Sequence, residues 1–173
     1  ITYGFSKDHR PDLKQMLFIL TATRDGAVPV QFRCEAGNQN NSRTHEQSWE
    51  ALRRVAGRDD FLYVADGKLC NGQAMEYIDR RKGRFVTVLP KSRTEDKHFR
   101  RWIQDQEPAW QNVWDRENPR KKWGPRDRWY VMKDPLPSQE GWPVIWVYST
   151  LLRQKQTHRR RERITRAQQE LQD

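Results

Sequence analysis

The chain lacks the features of a membrane protein and of a disulfide-bonded secreted fold. No apolar run approaches the ~20 residues that a membrane-spanning helix needs, and no signal peptide opens the sequence. Its two cysteines, Cys34 and Cys70, lie far apart without Cys-x-x-Cys spacing, which is typical of free thiols in a reducing compartment. The four histidines show no zinc-ligand spacing with them. We therefore expect a cytoplasmic protein without a zinc site.

Apolar residues are also scarce. They make up 35% of the 173 residues, against ~45–50% (a figure that counts Gly) in an ordinary globular chain. Eight Trp and six Phe compensate in part, because each large aromatic side chain buries ~150–250 Å². This length fits one domain, or one domain with an elaboration, and we expect the better core in the first hundred residues.

The chain also has fewer acidic than basic residues. The chain has 33 Lys and Arg against 23 Asp and Glu, for a formal net charge of +10, and an excess of this size favours a polyanionic partner. A solubilising surface is the alternative interpretation. Clustering of the basic residues favours nucleic acid. The clusters lie at residues 80–84, 100–101, 116–128 and 153–166.

The first patterned segment predicts a β-hairpin over residues 14–37. An apolar, β-branched run over residues 16–23 is typical of a buried strand. Asp25 and Gly26 supply a tight turn, because this pair readily adopts positive φ angles. Pro29 indicates that the returning strand starts at an edge or a bulge.

Helix and strand signals alternate over the next fifty residues. Thr44 and Gln47 match a capping box for a helix that ends at Gly57, and Gly83 is the expected C-cap of a second helix. Together with the hairpin, this order predicts a mixed sheet with helices packed on it. The predicted elements are a helix after residue 44, a strand over 61–65, a helix over 71–81 and a strand over 84–89.

The composition changes after Pro90. Seven of the eight Trp lie between residues 95 and 146, where we predict a helix over 98–105 and strands over 129–132 and 144–148. Most of these rings are expected in the core of a β-rich insertion, and stacking on unpaired bases is the alternative. A long, polar, basic helix follows, capped by Ser149 or Thr150. The predicted regions are 1–92, 93–148 and 149–173.

A mixed-charge segment near the start and a carboxylate at the end of a strand resemble a known family. Residues 3–15 combine both signs of charge with His9, and the apolar run 61–65 leads directly into Asp66. A strand that ends on an Asp can hold a metal-binding oxygen on a rigid platform. In order along nearly the whole chain, these segments resemble bacterial insertion-sequence transposases of the DDE type. The other matching segments are Asp25-Gly26, Gly37-Asn38, Lys68-Leu69-Cys70, residues 84–90 and the arginine-rich final helix.

The resemblance implies a partial ribonuclease H-like catalytic core over residues 1–92. In this family two Asp and one Glu bind two divalent ions, Mg²⁺ or Mn²⁺, for phosphoryl transfer. By position Asp66 is the second Asp, both catalytic residue and metal ligand. The alternative is an ordinary strand-terminal Asp that caps the helix region at Asn71. The first Asp is expected before Ile1 and the Glu after Asp173, so we predict that the chain as given is inactive. Gly67 departs from the Ser or Arg expected there.

The resemblance also implies DNA partners, both element ends and target, and it admits a homodimer of the intact protein. For Lys7, His9 and Arg10, a purely structural role in the loop is an equal alternative. In that case Asp8 and Asp12 hold Arg10 and Lys14 by charge-assisted bonds. The alternative for Lys68 is a solvated surface lysine. The alternative for the arginines is a solvated helix face with Glu162 and Glu170 as partners. The expected DNA-binding residues are Lys7, His9, Arg10, Lys68, Arg159, Arg160, Arg161 and Arg163.

The expected function is therefore DNA transposition, with metal-dependent strand cleavage and transfer in the intact protein. A non-catalytic basic nucleic-acid-binding module is the second hypothesis. A nuclease of the same fold, which cuts DNA without joining it, is a weaker third.

Overall fold

The computed structural model describes residues 2–3, 10, 12–37, 41–118 and 124–171. These residues form a mixed α+β fold of four helices and three separate sheets. The chain divides into two units, Ile1–Arg93 and Thr94–Asp173. This boundary lies beside the predicted one at 92/93, and the second unit contains both the β-rich region and the basic helix. No helix in the described part of the chain is long and apolar enough to cross a membrane.

The predicted hairpin is confirmed. Strands β2 (Lys14–Ala22) and β3 (Pro29–Ala36) are antiparallel, and Gly26 and Ala27 take positive φ angles of 74° and 51° in the turn. The register shifts after Thr21, opposite the Pro29 end of β3, so the proline does begin its strand at an irregularity. Strand β1 (Thr2–Tyr3) pairs antiparallel with the first two residues of β2, on the edge that β3 leaves free.

Helix α1 (Asn41–Ala56) begins one turn earlier than predicted. Thr44 and Gln47 lie inside the helix, so the predicted capping box is wrong. Residues 41–43 contain no glycine or proline that would stop the helix from extending toward its N-terminus. The end is as predicted: Gly57 has a φ of 65°, and its N–H donates to the Arg53 carbonyl at 3.0 Å.

Two helices cover one side of a parallel strand pair. Strands β4 (Leu62–Ala65) and β5 (Arg84–Thr87) are parallel, and helix α2 (Gly72–Asp79) connects them. Asn71 caps α2 by accepting a hydrogen bond from the Ala74 N–H at 2.9 Å, a role that the sequence left unassigned. The core between these elements consists of Trp49, Tyr63, Leu69, Ala74 and Ile78.

The end of α2 differs from the prediction in one residue. Lys82, with a φ of 59°, takes the left-handed conformation that was expected of Gly83. Gly83 is needed for packing instead, because a Cβ there would lie 2.7 Å from both Ile78 Cγ2 and Trp49 Cζ2.

The hairpin and the parallel pair do not join into the expected single mixed sheet. In the described residues β2 pairs with β1 and β3, and β4 pairs with β5 alone. Both belong to the first unit. Apart from β1, which pairs with Lys14 and Gln15, no described strand pairs with the edges that β3 and β5 leave free on β2 and β4. The expected ribonuclease H-like fold is therefore not confirmed.

The second unit consists of helix α3 (Thr94–Asp105), the antiparallel sheet β6-β7-β8 and helix α4 (Thr150–Glu170). Phe99 of α3 stacks on Trp146 at 3.9 Å between ring centroids and 10° between planes. Among the Trp of this unit, Trp102 and Trp114 are exposed, and none that the structure describes is fully buried. The predicted Trp core is therefore only partly formed. The strands are β6 (Gln111–Arg116), β7 (Asp127–Lys133) and β8 (Ile145–Ser149).

Asp127 joins the strands of this sheet to the start of α4. Its buried carboxylate accepts hydrogen bonds from Ser149 Oγ and Trp129 Nε1, both at 2.8 Å, and from Arg116 Nη2 at 3.3 Å. Burial acts to raise the pKa of Asp127, but these bonds hold it below its ordinary value. Ser149 in turn caps α4 through the Leu152 N–H, as one of the two predicted caps.

Substituting Gly83→Ala should destabilise the first unit by about 1–3 kcal/mol, because the new methyl group would overpack the contact between Trp49 and Ile78. Gly72→Ala is the matched control, since a Cβ at Gly72 meets no atom within 4 Å. Urea unfolding of both variants measures the difference. Equal stability of the two variants would contradict the described packing.

Candidate functional site

Asp66 lies at the carboxyl end of β4, where its backbone and side chain are both held. The Asp66 carboxylate accepts a hydrogen bond from the Lys68 N–H at 3.0 Å, and the Asp66 carbonyl accepts one from Thr87 Oγ1 at 2.6 Å. The fully buried Leu69 fixes the turn that follows. Asp66 and Lys68 themselves are exposed. The strand end therefore presents a carboxylate with a neighbouring cation to solvent.

The backbone that follows β5 passes close to Gly67. A Cβ at this position would lie 3.1 Å from the Val88 carbonyl oxygen. The chain that leaves β5 therefore runs close to the turn after Asp66. A side chain at position 67 would make a tight contact with it.

A groove of about 400 Å³ runs from β2 to β4 and includes Asp66 in its lining. We call it the β2–β4 groove. One wall is the run Leu17–Ala22 of β2, the other is formed by Tyr63–Ala65 of β4, and Thr44, His45 and Ser48 of α1 also line it, with Lys68 beside Asp66. All of these residues belong to the first unit.

The residues that α1 contributes to the groove are polar. His45 Nδ1 lies 3.1 Å from the Tyr63 hydroxyl, while Ser48 and Tyr63 are buried. Burial lowers the pKa of His45, an effect that the Asp66 charge opposes and the Lys68 charge reinforces. Burial likewise raises the pKa of Tyr63. The groove therefore holds a neutral imidazole and a neutral phenol near neutral pH.

His45 and Tyr63 were not identified from the sequence. Thr44, His45 and Ser48 do have the spacing of one helix face, which is a weak signal for a shared surface. Nothing in the sequence, however, indicates that this face of α1 meets β4 beside Asp66.

The described residues do not by themselves fit the expected pair of metal ions. Asp66 is one carboxylate, and within the described ranges no group of three or more His, Cys, Asp or Glu is placed to share a metal. Mg²⁺ requires several oxygen ligands in octahedral geometry. No catalytic step can therefore be assigned to a metal ion from this geometry.

The opening segment is described only in part. Arg10 donates to Asp12 through Nε at 2.9 Å and Nη2 at 2.7 Å, the fork geometry of a strong ion pair. This agrees with the structural role proposed for Asp12, and both side chains are exposed. Lys7 and His9 lie outside the described residues, so their predicted contacts with DNA stay predictions.

Helix α4 places the predicted basic residues on an exposed surface of the second unit. The helix has 21 residues, or about 31 Å at 1.5 Å per residue, and packs on β7 and β8. Every side chain described from Leu152 onward is exposed. Glu162 Oε1 lies 3.3 Å from His158 Nε2, one helical turn away. The predicted DNA-binding residues on α4 are Arg159, Arg160, Arg161 and Arg163.

Comparison with known proteins supplies no relative: no protein-family model, no curated protein and no solved structure matches the chain.

The imidazole of His45 should titrate below the ordinary pKa of 6.5, and Asp66→Asn should lower its midpoint further, because the Asp66 charge raises the pKa. Ring NMR signals followed against pH measure both midpoints, with His45→Gln to assign the resonance and Asp79→Asn as the control. Since the unfolded chain takes up this proton first, the contribution of His45 to stability is complete above pH 6.5 and is lost as the pH falls. A His45 midpoint unmoved by Asp66→Asn would contradict the shared site.

Proposed function

We propose that this chain is part of a DNA transposase of the DDE type. It binds element-end DNA and, in the intact protein, takes part in metal-dependent strand cleavage and transfer. Two features support this: the ordered resemblance of its segments to that family, and Asp66 held at the end of a parallel strand. The observation that carries the DNA-binding part is the exposed basic helix α4.

Helix α4 has the charge and spacing that DNA backbone recognition needs. At 3.6 residues per turn, four of its cations lie within an arc of about 80° and span about 16 Å along the axis. A row of this kind can follow successive phosphates, and each neutralised phosphate releases counterions from the duplex. The four cations are Lys155, Arg159, Arg163 and Arg166.

The catalytic part of the proposal rests on Asp66, which offers a single carboxylate. One carboxylate does not hold two ions, so the remaining ligands of the intact enzyme must come from outside the described residues. We therefore assign DNA binding, and no strand joining, to the part of the chain that the structure describes.

A non-catalytic basic nucleic-acid-binding module is the second candidate. The observation that favours it is the absence of an acidic cluster around Asp66 in the described ranges. The reading frame on both sides separates the two functions: a transposase requires an Asp-bearing strand upstream and a Glu-bearing helix downstream. A strand-joining assay with the longer chain then distinguishes a transposase from a nuclease.

Replacing the row Lys155, Arg159, Arg163 and Arg166 by glutamine (K155Q, R159Q, R163Q and R166Q together) should weaken DNA binding by tenfold or more at moderate salt. The slope of log K against log salt should become shallower by up to about 3.6, since each phosphate contact contributes about 0.9. Fluorescence anisotropy with a duplex at several salt concentrations measures both quantities.

The charge-matched control removes four arginines that already have carboxylate partners, R53Q, R58Q, R80Q and R100Q. This control should keep most of the affinity and the slope. Equal losses in both variants would show that only net charge matters, and a flat salt response of the unmodified chain would remove DNA from the proposal.

A further inference from the structure

Helix α4 is tied to its sheet at its first turn. The Asp127 carboxylate accepts hydrogen bonds from Ser149 Oγ at 2.8 Å and from the Leu151 N–H at 3.3 Å. Thr150 Oγ1 accepts one from the Arg128 N–H at 3.0 Å. Forming the first turn is the costly step of helix formation, and here the second unit itself holds that turn in place.

The later turns of α4 lack this support. Arg153 Nη1 donates to the Tyr148 hydroxyl at 3.1 Å, and every described side chain from Gln154 onward is exposed. Even the apolar Ile164 is half exposed. Because most helices in proteins gain their stability from packing an apolar face, these turns depend on interactions within the helix.

The charges within the helix oppose its formation along one row. Helix α4 contains seven Lys and Arg against two Glu. Lys155, Arg159 and Arg163 follow one another at a spacing of four residues, and Arg166 lies three residues after Arg163. Like charges at these spacings destabilise a helix. We call these four residues the cation row.

DNA supplies what the cation row lacks. A phosphate beside two neighbouring cations replaces their repulsion by charge-assisted hydrogen bonds. The cations lie in a row only while the chain is helical, so a duplex binds the helical state more tightly than the uncoiled one. A ligand shifts an equilibrium toward the state that it binds better.

We propose that residues 154–170 of the free protein are in equilibrium between helix and coil, and that DNA completes the helix outward from its anchored first turn. The described α4 is the state that DNA selects. This inference rests on the proposed DNA-binding function and adds the conformational step by which the site forms. Because the anchor is at Ser149, helical order in the free chain should be highest there and fall toward Glu170.

Backbone NMR of the full chain, with and without a DNA duplex, tests the equilibrium. The Cα secondary shifts of residues 150–153 should have full helical values in both states. Those of residues 159–170 should be reduced in the free chain and rise toward full helical values at saturation. Amides of residues 159–166 should also exchange at least about tenfold more slowly in the complex, while those of β7 serve as the internal reference.

A pair of charge reversals tests the cation row without DNA. Arg159→Glu replaces two like-charge pairs, with Lys155 and Arg163, by two pairs of opposite charge. Arg161→Glu is the matched control, because it changes the net charge equally but has no Lys or Arg three or four residues away. Those neighbouring positions are Thr157, His158, Ile164 and Thr165. In the free protein Arg159→Glu should raise the helical shifts of the distal turns above those of the control, although both variants should bind DNA more weakly.

Fluorescence anisotropy on the same samples separates this inference from the proposed function. DNA binding without a rise in helical shifts overturns the inference and leaves the DNA-binding proposal intact. A chain that binds no DNA overturns both. Full helical shifts as far as Glu170 in the free chain, or equal shifts in the two charge reversals, also overturn the inference.

Discussion

The separation of β2 from β4 is the constraint on which the arrangement of the first unit depends. No hydrogen-bonded pairing joins these two strands in the described residues, and Trp49 fixes the parallel pair against α1 and α2. The two facing edges instead border the β2–β4 groove. Because a peptide group without a partner costs free energy once it leaves water, this groove stays open to solvent.

The same arrangement gives Asp66 its setting. The carboxylate stands at the end of β4, with Lys68 next to it and the polar residues of α1 in the same groove.

Elements encoded by local chemistry were predictable from the sequence. The hairpin turn at Gly26, the glycine that ends α1 and the Ser149 cap of α4 appear as expected, although the second positive φ angle of the turn falls on Ala27 rather than Asp25. Each depends on φ angles, caps or periodicity within a few residues. The position of Asp66 at a strand end belongs to the same group, since the apolar run before it is short and continuous.

Features that depend on distant contacts were not predictable. Strand β6 has few apolar residues and no clear alternation, and it forms because β7 lies beside it. The Asp127 network joins residues 22 positions apart, and His45 meets Tyr63 across 18. The start of α1 was predicted too late because Thr44 and Gln47 match a capping box although they lie inside the helix. The mixed sheet was predicted from element order, which says nothing of whether β2 and β4 hydrogen-bond to each other.

Amide hydrogen exchange tests the central claim most directly, because it reports each strand edge separately. If the edges are free, amides between Met16 and Ala22 should alternate, slow where they face β3 and fast where they face the groove, and the groove-facing amides of β4 should also exchange fast. Uniformly slow exchange along both segments would mean that β2 and β4 are already paired, and it would contradict the account.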